Sequence, residues 1–140
     1  MIPAARDRFG AAVTKINVAA GYHCRGRVGG EEAKLSEHAF ANAIDVSAFD
    51  TTTGSVTVQG DWGAVTRAGK NVQSDAAASR LMPAPTAGAP PNVDKSGCLR
   101  RILGGGCATF STALGPNAND VHIDHFHFDA ATRHSGAYCG

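Results

Sequence analysis

Asp120-Val-His-Ile-Asp-His-Phe-His-Phe-Asp129 gathers His122, His125 and His127 into one short run, and its reading decides the fold. On a β-strand, residues two apart share a face. A strand over Val121 to Phe128 therefore sends His125 and His127 to one side. Phe126 and Phe128 go to the other, into a core. Two imidazoles on one face are the beginning of a metal site. Asp129 has the same parity, so it is either a carboxylate that fixes one imidazole's tautomer or an ordinary surface acid.

Upstream lies a second polar pair inside apolar sequence, Ser36-Glu-His-Ala-Phe-Ala-Asn-Ala-Ile-Asp45. Asn42 to Phe49 reads as a mostly buried strand, with Asp45 between Ile44 and Val46. A carboxylate in that setting is costly unless it is paired or binds a cation. His38 stands just before this strand, within reach if the loop folds back. Two imidazoles and a carboxylate drawn from separate strands suit Zn²⁺ with one position left for water. Taken singly, His38 reads as a surface or hydrogen-bonded histidine and Asp45 as a hydrogen-bonded buried acid. Their joint occurrence favours metal.

Further out, Val13 to Tyr22 reads as a strand, and Cys24 to Glu37 as a long exposed loop. Ser55 to Gln59 alternates after Thr53-Gly54 and predicts a hairpin. Residues 64–97 form a Pro/Ala/Gly-rich loop in which Pro83, Pro85, Pro90 and Pro91 exclude a regular helix or central strand. Such a loop is either a lid or an insertion without a role. Ser96 is the expected cap of a short helix from Gly97 to Leu103 that ends at Gly104-Gly105-Gly106. Cys107 to Leu114 is expected as a second short helix, with Phe110 and Leu114 on one face, stopped by Gly115-Pro116. Strands separated by loops, with helices late in the chain, predict an α+β fold: a small central antiparallel sheet flanked by short helices, the zinc site on the sheet.

The chain has 140 residues, the size of one domain. Its formal net charge of +1 lacks the electrostatic pull of a general nucleic-acid binder. No apolar run is long enough to span a membrane, and the first residues do not read as a signal peptide. Cys24, Cys98, Cys107 and Cys139 make an even count in a small chain, which predicts two disulfides and an oxidising compartment. Cys98 with Cys107 and Cys107 with Cys139 are both plausible pairs. A structural zinc site on cysteines is the weaker alternative, since no Cys-x-x-Cys occurs. His23 and His134 carry no assigned role, and Trp62 is read as core rather than as a sugar platform.

Several motifs together resemble a known family. Tyr22-His-Cys-Arg25, Ser36 to Asp45, Leu114-Gly-Pro116, His122 to Asp129 and Tyr138-Cys139 resemble, in that order, the bacterial extensin-like C-terminal domain. His-x6-Asp followed by His-x-His is similar to the zinc-peptidase group that holds lysostaphin-type enzymes, D-Ala-D-Ala metallopeptidases and the hedgehog signalling domain. The resemblance runs from about Pro3 to Cys139 and weakens in the Pro-rich stretch. Such domains usually begin earlier, with an additional helix and cysteine. The resemblance implies that His38, Asp45 and His127 bind Zn²⁺ and that His125 is catalytic. It gives Asp124 the place of an acidic general base, Arg25 that of a substrate-contacting arginine, and Ser36 that of a substrate-side serine. Ala41 departs from it, standing where the related pattern has glycine.

The implied activity is hydrolysis of peptide bonds in peptidoglycan, as a D,D- or L,D-type carboxypeptidase or endopeptidase, at stem peptides or cross-links, by a monomer in the periplasm or secreted, a phage lysin included. In this reading His122, His125 or Arg25 stabilises the oxyanion. Strand parity favours His125 as the base and the resemblance favours Asp124. Both fit only if the strand bends between them. Two other functions compete: a non-catalytic zinc-binding interaction module, and a disulfide-stapled wall-binding domain with incidental histidines.

Overall fold

The computed structural model describes residues 11–24, 26, 35–67, 70–71 and 94–140. Arg25 and most of the Pro-rich loop lie outside the described residues. The architecture is α+β, as the order of elements predicts. Its strands are β1 (Val13–Ala20), β2 (Ala43–Thr51), β3 (Gly54–Thr57), β4 (Thr66–Arg67), β5 (Lys70–Asn71), β6 (Thr112–Leu114), β7 (Phe126–Asp129) and β8 (Tyr138–Cys139). Two α-helices, α1 (Val58–Asp61) and α2 (Lys95–Cys107), and two 3-10 turns, Glu37–Phe40 and Asp120–His122, complete the described elements.

One sheet has the order β1-β2-β7-β6-β8, and β3 also pairs with β2. β2 is long enough that one of its edges serves two partners: Ala43 to Val46 pair with β7, and Ala48 to Thr51 with β3. The hairpin turns at Thr52-Thr53, where Gly54 takes φ 141°, a conformation open to glycine. All pairs in this sheet are antiparallel except β6 with β8, which is parallel.

The alternation in β7 divides the sheet into a dry face and a polar face. Phe126 and Phe128 are completely buried with Leu99, Val58 and Trp62. Trp62 meets Phe126 edge-on at 5.7 Å, and Phe110 stacks on Phe128 at 5.0 Å. Trp62 is thus a core residue. Burying a phenylalanine contributes roughly 1.5–3 kcal/mol, so this layer anchors the strand that carries the histidines.

The late helical region differs from its sequence reading. α2 begins at Asp94, whose carboxylate caps Gly97 N–H at 2.8 Å. Ser96 instead donates to the Trp62 carbonyl at 2.6 Å. The helix runs through Gly104-Gly105-Gly106 to Cys107 rather than ending at the glycines. Gly106 is there for packing, because a Cβ would run into the Phe128 ring. Thr112 to Leu114 is not helical. It is strand β6, paired with β7, and Phe110 packs from the turn before it. One disulfide, Cys107–Cys139, ties the end of α2 to β8 with Cα atoms 5.8 Å apart. It replaces the alternative Cys98–Cys107 pairing: Cys98 lies buried in α2, and Cys24 is exposed with a free thiol.

Candidate metal centre

The register of the sheet places the polar residues in rows. Asp45 faces His127 across β2–β7, and His127 faces Leu114 across β7–β6. One pleat along, Asp129 faces Thr112, and Thr112 faces Tyr138. Directly opposed residues share a face, so Asp45 and His127 meet because the ladder pairs them. Asp45 Oδ1 lies 2.9 Å from His127 Nδ1.

His38 arrives from outside the sheet. It sits on the 3-10 turn Glu37–Phe40, which begins with Ser36 accepting from His38 N–H. The turn ends at Ala41, in the left-handed region at φ 55°. That is the position where the related pattern has glycine, and the backbone shows why. Asn42 secures the turn by donating from its side chain to Glu37 at 3.0 Å. The result buries His38, with Nε2 3.2 Å from both Asp45 Oδ1 and His127 Nδ1.

His38 Nε2, Asp45 Oδ1 and His127 Nδ1 therefore form a triangle with edges of 2.9 to 3.2 Å. Donors on a tetrahedral zinc, bound at about 2.0–2.1 Å, stand roughly 3.3–3.4 Å apart. These three residues could hold a metal ion. The opposite side of each imidazole supports this reading. His38 Nδ1–H donates to the Gly21 carbonyl at 2.6 Å, which leaves the Nε2 lone pair facing inward. His127 Nε2 meets Asp129 Oδ2 at 3.2 Å, which leaves Nδ1 facing the triangle. Carboxylate or carbonyl partners behind metal-ligating imidazoles set their tautomer and raise their basicity. Asp129 is buried, not a surface acid, and it also accepts from Ala131 N–H at 3.1 Å.

Charge states follow from these contacts. Burial pushes the His127 imidazole down, but hydrogen bonds and charge from Asp45 and Asp129 outweigh it and hold His127 above the ordinary histidine value. Burial pushes the Asp45 carboxyl up, and His127, His125 and His38 more than reverse this. Asp129 behaves alike: burial raises it, while Ala131 N–H, Thr112 and His127 bring it below the usual range.

The approach to His127 is not strand. Residues 120–122 form a 3-10 turn, and β7 starts only at Phe126. This break brings Asp124 beside His125 despite their adjacent positions: Asp124 Oδ1 is 2.7 Å from His125 Nδ1. The carboxylate is the acceptor, so Nδ1 carries a proton and His125 turns its Nε2 towards Asp45, 3.7 Å from Oδ2. His122 joins from the turn, with ring centroids 5.2 Å from His125 and 5.7 Å from His127. Asn119 Oδ1 accepts from Val121 N–H and lies 2.7 Å from His122 Nδ1, so Nδ1 carries the proton. Burial, with the charges of His125 and His127, lowers His122 to about 4.

A cavity of about 410 Å³ opens on this cluster. His38, Asp45, His127, His122, His125 and Ser36 all line it; Asp124 stands behind His125, exposed at the rim. Sequence reasoning missed Asn119, which orients His122, and Arg133, which lines the cavity beside Asp129. Neither lies within a recognisable motif.

Comparison with known families covers the same residues. The model of the extensin-like protein C-terminus matches residues 1–82 and 86–140. The chain belongs to that family. No curated protein and no solved structure matches it. This extensin-like domain thus carries a largely buried His/His/Asp group, two of its members on a mixed sheet and one on the adjoining turn, with a disulfide that suits an extracellular protein. None of its described helices is long and apolar enough to cross a membrane.

Proposed function

We propose that this extensin-like domain is a zinc-dependent hydrolase that cleaves peptide bonds of bacterial peptidoglycan, outside the cytoplasmic membrane. The observation that carries the proposal is the triangle of His38, Asp45 and His127 with the Asp124–His125 pair directed at its open side. The substrate class rests on the resemblance to zinc peptidases of the cell wall, an analogy of family rather than of geometry.

Two imidazoles and a carboxylate are the donor set of a catalytic rather than a closed structural zinc site. Zinc held there supplies Lewis acidity, polarising a peptide carbonyl and making water acidic near neutral pH. The chain's own groups then move the proton. His125 Nε2, with its lone pair towards the cavity, takes a proton from the attacking water and delivers it to the leaving amine. Asp124 holds the other nitrogen and stabilises the imidazolium that forms, as the acid does in an Asp–His pair. The two candidate bases thus act as one unit, His125 in contact and Asp124 behind it. His122, protonated at Nδ1, presents an acceptor rather than a donor to the cavity. Arg25, to which the resemblance gives the place of a substrate-contacting arginine, is then the candidate oxyanion donor.

The test is zinc content after purification without added metal, followed by an assay for new amine ends released from purified peptidoglycan. One zinc per chain with release of amines supports the proposal. One zinc without release assigns the domain to non-catalytic binding modules, and neither zinc nor uptake defeats both.

A further inference from the structure

The cavity continues past the metal centre. From Asp45 on β2 it crosses β7 and β6 to Tyr138 on β8, following the order of strands in the sheet. At that far end stands Arg133, the one guanidinium or ammonium group lining the cavity among the described residues. Its position is set rigidly. Nε and one Nη donate to Thr112 Oγ1 at 3.0 and 2.6 Å, and the same Nη is 3.7 Å from Asp129 Oδ2. Thr112 is buried and hydrogen-bonds Asp129 in turn. The side chain is 28% exposed, and its second Nη has no hydrogen-bond partner among the described residues.

We infer that Arg133 binds the terminal carboxylate of the substrate, so that the enzyme removes a short piece from a free C-terminal end. This inference rests on the hydrolase reading above and narrows its substrate class. A guanidinium clamped on one edge keeps its other edge ready for a planar anion, at little cost in side-chain freedom. Distance fits as well. Asp129 lies 3.2 Å from His127 Nε2 and 3.7 Å from Arg133. The guanidinium is therefore no farther from the His127 ring than two extended residues, at about 3.5 Å each. The triangle lies across that ring, at Nδ1, so a carbonyl at the metal centre and a carboxylate at Arg133 are a few residues apart at most. An internal bond has no terminal carboxylate to offer, only whatever acidic side chain stands nearby.

The experiment compares N-acetyl-L-Lys-D-Ala-D-Ala as the free acid and as the C-terminal amide. Both binding and cleavage are measured on the zinc-loaded full chain, and binding also on the metal-free chain. The acid is expected to bind at least about tenfold tighter, the scale of one charge-assisted pair, with a matching ratio in kcat/KM. Arg133→Gln brings the two peptides to within about twofold of each other, whereas Arg133→Lys keeps part of the preference. A residue that merely braced Asp129 would lower both peptides equally and leave their ratio intact. Equal binding of acid and amide by the wild type overturns the inference. So does a preference that persists in Arg133→Gln, since the carboxylate is then held elsewhere. Cleavage of neither peptide nor peptidoglycan defeats the hydrolase reading, while the binding ratio still decides the role of Arg133.

Discussion

Two of the three candidate metal donors stand on the sheet, and the third stands on a turn. Asp45 and His127 oppose each other in the β2–β7 ladder, so their separation is set by the same pairing that builds the core. His38 depends on local bonds: a cap at Ser36, a left-handed Ala41, and contacts to the end of β1, where His23 N–H donates to the His38 carbonyl at 3.1 Å and Gly21 accepts from the ring. The lesson is one of division of labour. The sheet fixes a two-donor half-site whatever the metal does, and the turn closes it.

The strongest way to break this contrast is Asp45→Ala. It removes the donor that touches both imidazoles, and zinc in the dialysed protein should fall to near zero by elemental analysis. His38→Ala should instead leave the sheet pair intact and retain weakened, saturable uptake. Equal loss in the two variants would show that the sheet pair is no site by itself.

Asp129→Asn tests the support behind the sheet donor. Replacing a carboxylate that orients a ligating imidazole lowers metal affinity by about 10- to 100-fold. Competition with a zinc chelator measures it, with circular dichroism confirming the fold.

Acidity sharpens the same contrast. His127 is held above its ordinary 6.5 by Asp45 and Asp129, so a proton competes for Nδ1. Zinc affinity should therefore begin to fall while the pH is still above 6.5, by about tenfold per pH unit once the ring is protonated. In the metal-free protein the sign for stability is opposite at two histidines. The raised His127 contributes stability that is fully present below 6.5 and is lost as pH rises through its folded value. His122, lowered to about 4, opposes folding progressively as pH falls from 6.5 towards 4. His122→Asn should thus flatten the acid side of a stability–pH curve and leave the neutral side unchanged.

The smallest effect belongs to the turn. A left-handed alanine costs roughly 1–2 kcal/mol, and glycine's freedom in the unfolded chain returns about 0.4–1 kcal/mol of that. Ala41→Gly should raise stability in urea by about 0.5–1 kcal/mol, with zinc affinity preserved.

The parts of the molecule readable from sequence are those where one residue's neighbours carry the information. Period-two alternation over Phe126–Phe128 showed which side was core, and an acid between Ile44 and Val46 pointed to a polar group that could hold a cation. The hairpin after β2 was legible from Thr53-Gly54. Other features depend on distant partners. The glycines of α2 read as a stop, but Gly106 is small to admit Phe128, which is remote in sequence. Phe110 and Leu114 have helical spacing in isolation, yet Thr112 to Leu114 becomes strand because β7 offers an edge. Residues 120–125 keep the alternating look of a strand, yet Asn119 caps a turn there, and Asp124 and His125 meet before β7 begins. Arg133 has no motif at all. Its place follows from Thr112 and Asp129 lying opposite each other in the sheet.

The pairing of β7 with β2 has a last consequence. Were β7 to slip by a single residue, its side chains would exchange sides: imidazoles would enter the oily layer, and two phenyl rings would face water. Such misaligned chains forfeit their core and their chemistry together. The greasy residues thus proofread the alignment of the reactive ones, and a correctly folded molecule has its half-site assembled without further instruction.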